Sequence, residues 1–194
     1  NGNIAGVIVE PIMGVGGFID PPKEYHQRVL EIVHSYGGLY IADEVQTGAG
    51  RLGKSFFASV EQGLEPDIIT TAKGLGNGAP IGAVITKKKY SQALASKIHF
   101  NTYGGDPFQS MQALETINII LEENLIDNAN KRGLQLKESL LNLKNQFKFI
   151  GDVRGRGLML GLELVEDKKS KTPSAKKTEA LLDYSRDLGL LIGK

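Results

Sequence analysis

Short β-branched runs alternate with helical stripes along the first hundred residues. Ile4–Glu10 (IAGVIVE) is apolar up to a closing carboxylate, and Pro11 stops it, which predicts a strand buried in a parallel sheet. Leu39–Ala42 (LYIA) and Ala83–Thr86 (AVIT) predict two further strands, and Glu65–Thr71 (EPDIITT) predicts a turn and another strand between them. Between the first two, Asp20-Pro-Pro opens a helix with Asp20 as its cap. Tyr25, Val29, Leu30, Ile32, Val33 and Tyr36 supply its apolar stripe, and Gly37-Gly38 ends it with a left-handed cap. Asp106-Pro107 opens another helix through Met111, Leu114, Ile117, Ile120 and Leu121, and a further one covers 125–147. The stretch 151–165 contains one short alternating strand (LMLGLELV), 168–177 is a lysine-rich solvated loop, and a helix over 175–188 leads into a strand at Leu190–Ile192. No segment repeats.

The pattern predicts an α/β fold: a mostly parallel sheet with helices on both faces, followed by part of a small C-terminal α/β lobe. The expected division is 1–105 as part of a large domain, 106–130 as a connecting helix, and 131–194 as part of a small domain. The chain starts at Asn1 and stops within a strand-like run, so it reads as an internal piece of a longer protein.

Composition narrows the chemistry. Among 194 residues, 23 basic and 22 acidic side chains give a net charge of +1, which argues against nucleic-acid or anionic-membrane partners. No apolar run reaches the ~18–20 residues of a membrane span. Cysteine is absent, so thiolate metal sites, disulfides and cysteine nucleophiles are excluded; His26, His34 and His99 are scattered, and no metal site is expected. Glycine is abundant, with 24 residues against a typical ~7% of a chain. The glycines cluster at 14–17, 48–53, 74–78, 104–105 and 151–161, marking loops where backbone approaches a ligand or another loop.

In open parallel sheets, ligands bind beyond the carboxyl ends of the strands. Glu10 lies beyond the first, Asp43-Glu44-Val45-Gln46-Thr47-Gly48 beyond the second, and Ala72-Lys73-Gly74 beyond the third. A carboxylate and a lysine at neighbouring strand ends can form a plain ion pair. A lysine among small residues (Ala72, Gly74, Gly76, Gly78) can instead be a nucleophile with room for a flat aromatic aldehyde, while an aspartate pairs with a protonated ring nitrogen. That is the arrangement expected for pyridoxal 5'-phosphate.

Five segments then carry a resemblance: VIVEPIMGVGG (7–17), GGLYIADEVQTGAGRLG (37–53), EPDIITTAKGLGNGAPIGAV (65–84), FNTYGGDP (100–107) and GDVRGRGLMLGLEL (151–164). In order and spacing the chain resembles the class III (subgroup II) pyridoxal-phosphate aminotransferases, a group of fold type I. FNTYGG and GDVRGRGLMLGLELVEDK look most like the type 2 alanine–glyoxylate aminotransferases. The resemblance implies transamination between an amino acid, alanine first, and a keto acid, glyoxylate first. Lys73 would hold the cofactor and shuttle the substrate proton, and Asp43 would partner the ring nitrogen. Val45 would pack on the ring, Gln46 would bond its phenolic oxygen, and Thr102 would reach the cofactor phosphate of a partner subunit. Glu10 would stand beside the substrate carboxylate. A homodimer or dimer of dimers, and a mitochondrial location with a cytoplasmic or peroxisomal one as the alternative, are likewise implied. Met13 stands where the family commonly has glutamine, and Ala49 where it has an aromatic; both lie on the substrate side. The phosphate loop and the carboxylate-binding arginine of the family would lie before Asn1 and after Lys194.

Other readings remain open. A related enzyme of the same class can act on an ω-amine (ornithine, acetylornithine or 4-aminobutyrate) or as a phospho-lyase. Gly48-Ala-Gly-Arg-Leu-Gly53 matches G-x-G-x-x-G, the mark of a dinucleotide-binding oxidoreductase. A cofactor-free scaffolding homologue is a third. Local structural roles compete as well: Glu10 as a cap on the Gly14–Gly17 loop, Thr102 as a turn hydroxyl, and Arg154 and Arg156 as struts of the small lobe.

Overall fold

The computed structural model describes residues 2–193. Four strands, β1 (Gly6–Val9), β2 (Leu39–Asp43), β3 (Ile68–Thr71) and β4 (Ala83–Thr86), pair in sequence order. The first three are parallel, with Val7 opposite Tyr40 and Asp43 opposite Thr70; β4 returns antiparallel, Thr71 facing Ala83. Parallel pairing puts the carboxyl ends of β1, β2 and β3 at one edge, which gathers three loops that are distant in sequence.

Helix α1 (Tyr25–Ser35) makes the crossover from β1 to β2. Its buried residues are His26 and Val33, with Val29 and Leu30 half-buried, while Tyr25, Ile32 and Tyr36 of the expected stripe face outward. Burying His26 rotates the packed face, because the ring has two partners inside. Its Nδ1 lies 2.8 Å from the Tyr40 hydroxyl and its Nε2 3.0 Å from the Pro11 carbonyl. A carbonyl only accepts, so Nε2 carries the hydrogen and Nδ1 accepts from Tyr40. Burial lowers the His26 pKa and raises that of Tyr40 to about 12. Asp20 does not cap α1, whose first turn follows Glu24; its carboxylate instead meets Arg156 Nε at 3.0 Å. Gly37, at φ +76, closes α1 as expected.

Asp67 ties this layer together. Its side chain is buried and accepts from the Tyr40 amide (2.9 Å), His34 Nε2 (2.7 Å) and the Tyr90 hydroxyl (2.9 Å). Burial alone would raise its pKa, but these three donors hold it below the ordinary carboxylate value. Tyr90 lies in the short helix α3 (Lys88–Ser91), after α2 (Ala58–Glu61) in chain order.

Helix α4 (Pro107–Glu122) is capped by Asp106, which accepts from the Phe108 and Gln109 amides at 2.9 and 3.2 Å. Asn124, at φ +52, breaks it from α5 (Leu125–Gln146). The region expected to hold one strand is a hairpin, β5 (Ile150–Arg156) and β6 (Met159–Leu164), paired from Ile150–Leu164 to Arg156–Met159. Its first strand, IGDVRGR, lacks apolar alternation because its charged residues make ion pairs within the protein. Ile150, Val153 and Leu164 form a core cluster with Leu140 of α5 and Leu181 of α6 (Ala175–Asp187). Leu190–Ile192 is not a strand: within the described residues it has no pairing partner. A second cluster, Ile12, Leu52, Ala58 and Met159 with Phe18 against it, joins the hairpin to the loops of the four-stranded sheet. No described helix is long and apolar enough to cross a membrane.

Candidate functional site

The loop after β2 is fixed by a buried carboxylate that does not line the cavity described below. Successive side chains on an extended chain point to opposite sides. Glu44, fully buried, takes four donors: Thr47 Oγ1 (2.5 Å) and the Ala58 amide (3.1 Å) on one oxygen, the Ser59 amide and hydroxyl (2.7 Å each) on the other. Its backbone carbonyl receives the Gly48 amide at 2.9 Å. Asp43, one residue earlier and half-buried, accepts the Val45 amide on Oδ1 at 3.1 Å. Glu44 is therefore the anchor, and Asp43, Val45 and Gln46 are the residues it holds in place.

Val45, Gln46 and Lys73 line one cavity of about 290 Å³, together with Phe18, Arg51 and Met159. That is near the lower end of small-molecule pockets, roughly 300 Å³. Lys73 begins a single 3-10 turn, Lys73–Leu75, right after β3, with φ +45. Its side chain is exposed, and among the described residues its amine makes no hydrogen bond or ion pair. The plain ion pair with Asp43 or Glu44 is thus not what the lysine does. Phe18 (φ +55) and Ala49 (φ +56) also lie in the left-handed region, and Ala49 stands beside Gly74: a Cβ there would be 3.5 Å from the Ala49 Cβ. Strain of this kind costs of order 1–3 kcal/mol per residue and clusters at functional sites; of the six such residues among those described, Phe18 and Lys73 line this cavity and Ala49 adjoins its Gly74.

Glu10 lies behind the cavity rather than on its wall. Its Oε2 accepts the Gly14 amide at 3.1 Å and lies 3.5 Å from Gln46 Nε2, so the loop-capping contact is present. A Cβ at Gly14 would stand 2.5 Å from the Gln46 side-chain amide, so glycine here leaves that amide its present place. Thr102 lies in an exposed turn beyond β4, away from the cavity of Lys73. Sequence reasoning missed Phe18, Arg51, Leu158 and Met159 as cavity residues. Phe18 and Met159 are apolar and carry no chemical signature; only the packing of the hairpin against the Gly48–Gly53 loop brings them in.

That packing also removes the dinucleotide reading. A Cβ at Gly50 would stand 2.6 Å from Ile126, and one at Gly53 2.6 Å from the Asn130 backbone. These glycines admit helix α5, and the helix that follows them, α2, has four residues, too short to present a pyrophosphate site.

Arg154 and Arg156 strut the hairpin. Arg154 donates to the Gly17 carbonyl (2.6 Å), Asp152 (3.1 Å) and Glu163 (2.5 Å), and Arg156 donates to Glu61 at 2.9 Å. Burial pulls the Arg154 pKa down, but bonds to Glu163 and Asp152 outweigh it and hold it above the ordinary value. Among the described residues, no cluster of three or more metal-ligating side chains occurs.

The donor set fits the pyridoxal phosphate that the resemblance implies. It offers an unpaired amine, a carboxylate at the adjacent strand end, a side-chain amide and an apolar valine face. The buried Thr70 hydroxyl, in register with Asp43, has no partner.

The class-III aminotransferase family model matches residues 1–194. An Arabidopsis thaliana alanine–glyoxylate aminotransferase 2 homolog, described as mitochondrial, is 46% identical over 193 residues, covering 100% of this chain and 40% of that protein. The human alanine–glyoxylate aminotransferase 2, also described as mitochondrial, is 41% identical over 99% of this chain and 38% of its own length. A 4-aminobutyrate aminotransferase of Escherichia coli is 38% identical over 98% of this chain and 44% of its own. In structure, an amine transaminase from an uncultivated Pseudomonas species, in PLP-bound form, superposes with a TM-score of 0.92 at 38% identity, over 98% of this chain and 45% of that one. The chain thus spans about 40% of the length of the curated relatives it matches.

Proposed function

The chain belongs to the class-III aminotransferase family, and from that premise we propose that its protein transfers an amino group from an amino acid, alanine, to a keto acid, glyoxylate. The observation that carries the reading is the unpaired Lys73 amine in a cavity with Val45 and Gln46, next to the strand end bearing Asp43. Class-III aminotransferases are pyridoxal-phosphate dependent. When bound, this cofactor supplies an aldehyde for the substrate's amino group and a ring that delocalises the electron pair left at the α-carbon.

The chain's own residues have distinct tasks. Lys73 would hold the cofactor and carry the proton to and from the α-carbon. Asp43, oriented by the Val45 amide, would be the carboxylate that keeps the ring nitrogen protonated. Gln46 would supply a side-chain amide to the ring's phenolic oxygen, and Val45 an apolar face against it. Glu10 borders the substrate carboxylate through Gln46, and Thr102 serves the phosphate site of a partner subunit. A homodimer is supported by the exposed Ile98, Phe100, Tyr103, Phe108 and Met111 around Thr102. Residues 1–105 belong to the large domain, 106–130 to the connection and 131–194 to the small domain; the two separate sheets support this division. The names of the relatives support a mitochondrial location.

The test uses the full-length protein. It is loaded with pyridoxal phosphate, reduced with borohydride and digested, and the adduct is mapped by mass spectrometry. The expected result is a pyridoxyl group on Lys73 that Lys73→Ala loses, along with alanine–glyoxylate turnover. A folded, loaded protein with no adduct at Lys73 would overturn the reading. Turnover of 4-aminobutyrate in place of alanine would move the substrate to the ω-amine branch.

A further inference from the structure

Phe18 is a bulky residue held in the left-handed backbone region, φ +55, packed against the Ile12–Met159 core cluster and lining the Lys73 cavity. Left-handed geometry is an outlier for such a residue and persists only when its surroundings impose it. Here they do so from three sides. Met13 and Ile19 exchange backbone hydrogen bonds of 3.0 and 3.1 Å, closing the loop around Phe18. Arg154 Nε holds the Gly17 carbonyl at 2.6 Å, while Asp152 and Glu163 balance its charge. Gly161 of β6 lets the hairpin approach, since a Cβ there would meet the Gly17 carbonyl at 3.2 Å and the Phe18 Cβ at 3.3 Å.

We propose that Phe18, set by the Arg154–Gly17 clamp, is a specificity-determining residue that limits the length of the substrate side chain opposite Lys73. The inference rests on the transaminase reading above and specifies its substrate class as amino acids with side chains of one or two carbons. The place of Phe18 among the lining residues of a cavity of about 290 Å³ sets the size limit. Arg154 reaches no cavity atom and acts as a positioning residue, converting the ion-pair lattice of the hairpin into a fixed wall.

The experiment compares full-length wild type with Phe18→Ala, Phe18→Leu and Arg154→Gln. In each, kcat and KM are measured for L-alanine, L-2-aminobutyrate and L-norvaline with a common acceptor. Borohydride labelling of Lys73 and the melting midpoint are measured in parallel. A pocket discriminates by ~10–200-fold per methylene, so Phe18→Ala should raise the norvaline-to-alanine ratio of kcat/KM by ~10-fold or more. Phe18→Leu should fall between, with the change in KM for norvaline. Arg154→Gln should shift the ratio the same way, which a purely structural strut would not do. If Phe18→Ala does not fold, Phe18→Leu decides. A ratio within about twofold of wild type, in a folded variant that still labels at Lys73, overturns the proposal and leaves the transaminase reading standing. If neither Phe18 variant folds, Phe18 is a core residue and the proposal falls. Failure of wild type to label at Lys73 removes the transaminase reading and the inference with it.

Discussion

Replacing Glu44 by glutamine changes one oxygen to an amide and leaves the volume unchanged. Each Glu44 oxygen accepts one backbone amide, Ala58 on one and Ser59 on the other. A glutamine has one acceptor oxygen, so in either orientation its NH₂ faces a backbone N–H that cannot turn away. The Thr47 and Ser59 hydroxyls can rotate to accept; the amides cannot. One buried donor is left unpaired and a second hydrogen bond is weakened, at a cost of about 2–4 kcal/mol. In a full-length protein of the relatives' size, about 2.5 times this chain, the loss corresponds to a fall in melting midpoint of roughly 2–4 °C, at ~1 °C per kcal/mol. Because Glu44 anchors the segment that carries Asp43, Val45 and Gln46, pyridoxal phosphate retention should weaken as well. The assay is a thermal melt of full-length wild type and Glu44→Gln by circular dichroism, with and without excess cofactor. A midpoint within 1 °C of wild type would refute the argument, because it would mean that the four-donor arrangement does not hold this loop.

Other outcomes follow from the same geometry. Gly53→Ala should destabilise the protein by about 3 kcal/mol or more. Gly53 sits at φ +88, and a Cβ would press on the Asn130 backbone at 2.6 Å, so neither strain nor clash can relax through a flexible side chain; denaturant unfolding checks it. Stability should also fall as pH drops below the ordinary histidine value of 6.5. Burial holds the His26 pKa below that value, so in this window the unfolded chain takes up a proton that the folded chain refuses. Asp67, also below its ordinary value, adds stability present above 3.8 and lost as pH falls through its folded value. Melts from pH 7.5 to 5 should show the first slope, and His26→Gln should flatten it. The same slope in wild type and variant would assign it to other groups.

Much of the fold was legible because it rests on local signals. The β-branched runs marked β2 and β4 within a residue, and the run 65–71 contains β3 after its Pro-Asp turn, since β-branched residues suit extended backbone even at the antiparallel edge where β4 lies. Proline set the start of α4 and glycine the end of α1, because they restrict or free the backbone wherever they occur. The errors came where tertiary contacts override local preference. His26 is polar by type but belongs to the packed face of α1, as only the Tyr40 and Pro11 partners make clear. The charged strand β5 hides its pairing because its arginines and Asp152 bond to each other and to distant loops.

The candidate site divides in the same way. By itself the sequence determined the chemistry on offer: a lysine and a carboxylate beyond adjacent parallel strands, in a spacing shared with the aminotransferases. Those residue types and strand ends are local properties, readable wherever they stand. Only the tertiary structure decided that Asp43 lies at the sheet edge while Glu44 is spent on four buried donors. It alone brought Phe18 and Met159, 141 positions apart in the numbering, onto one cavity wall. The physical reason is that a cavity wall is made of shape and contact. Apolar side chains joined across long chain separations leave no periodicity or charge signature for the sequence to display.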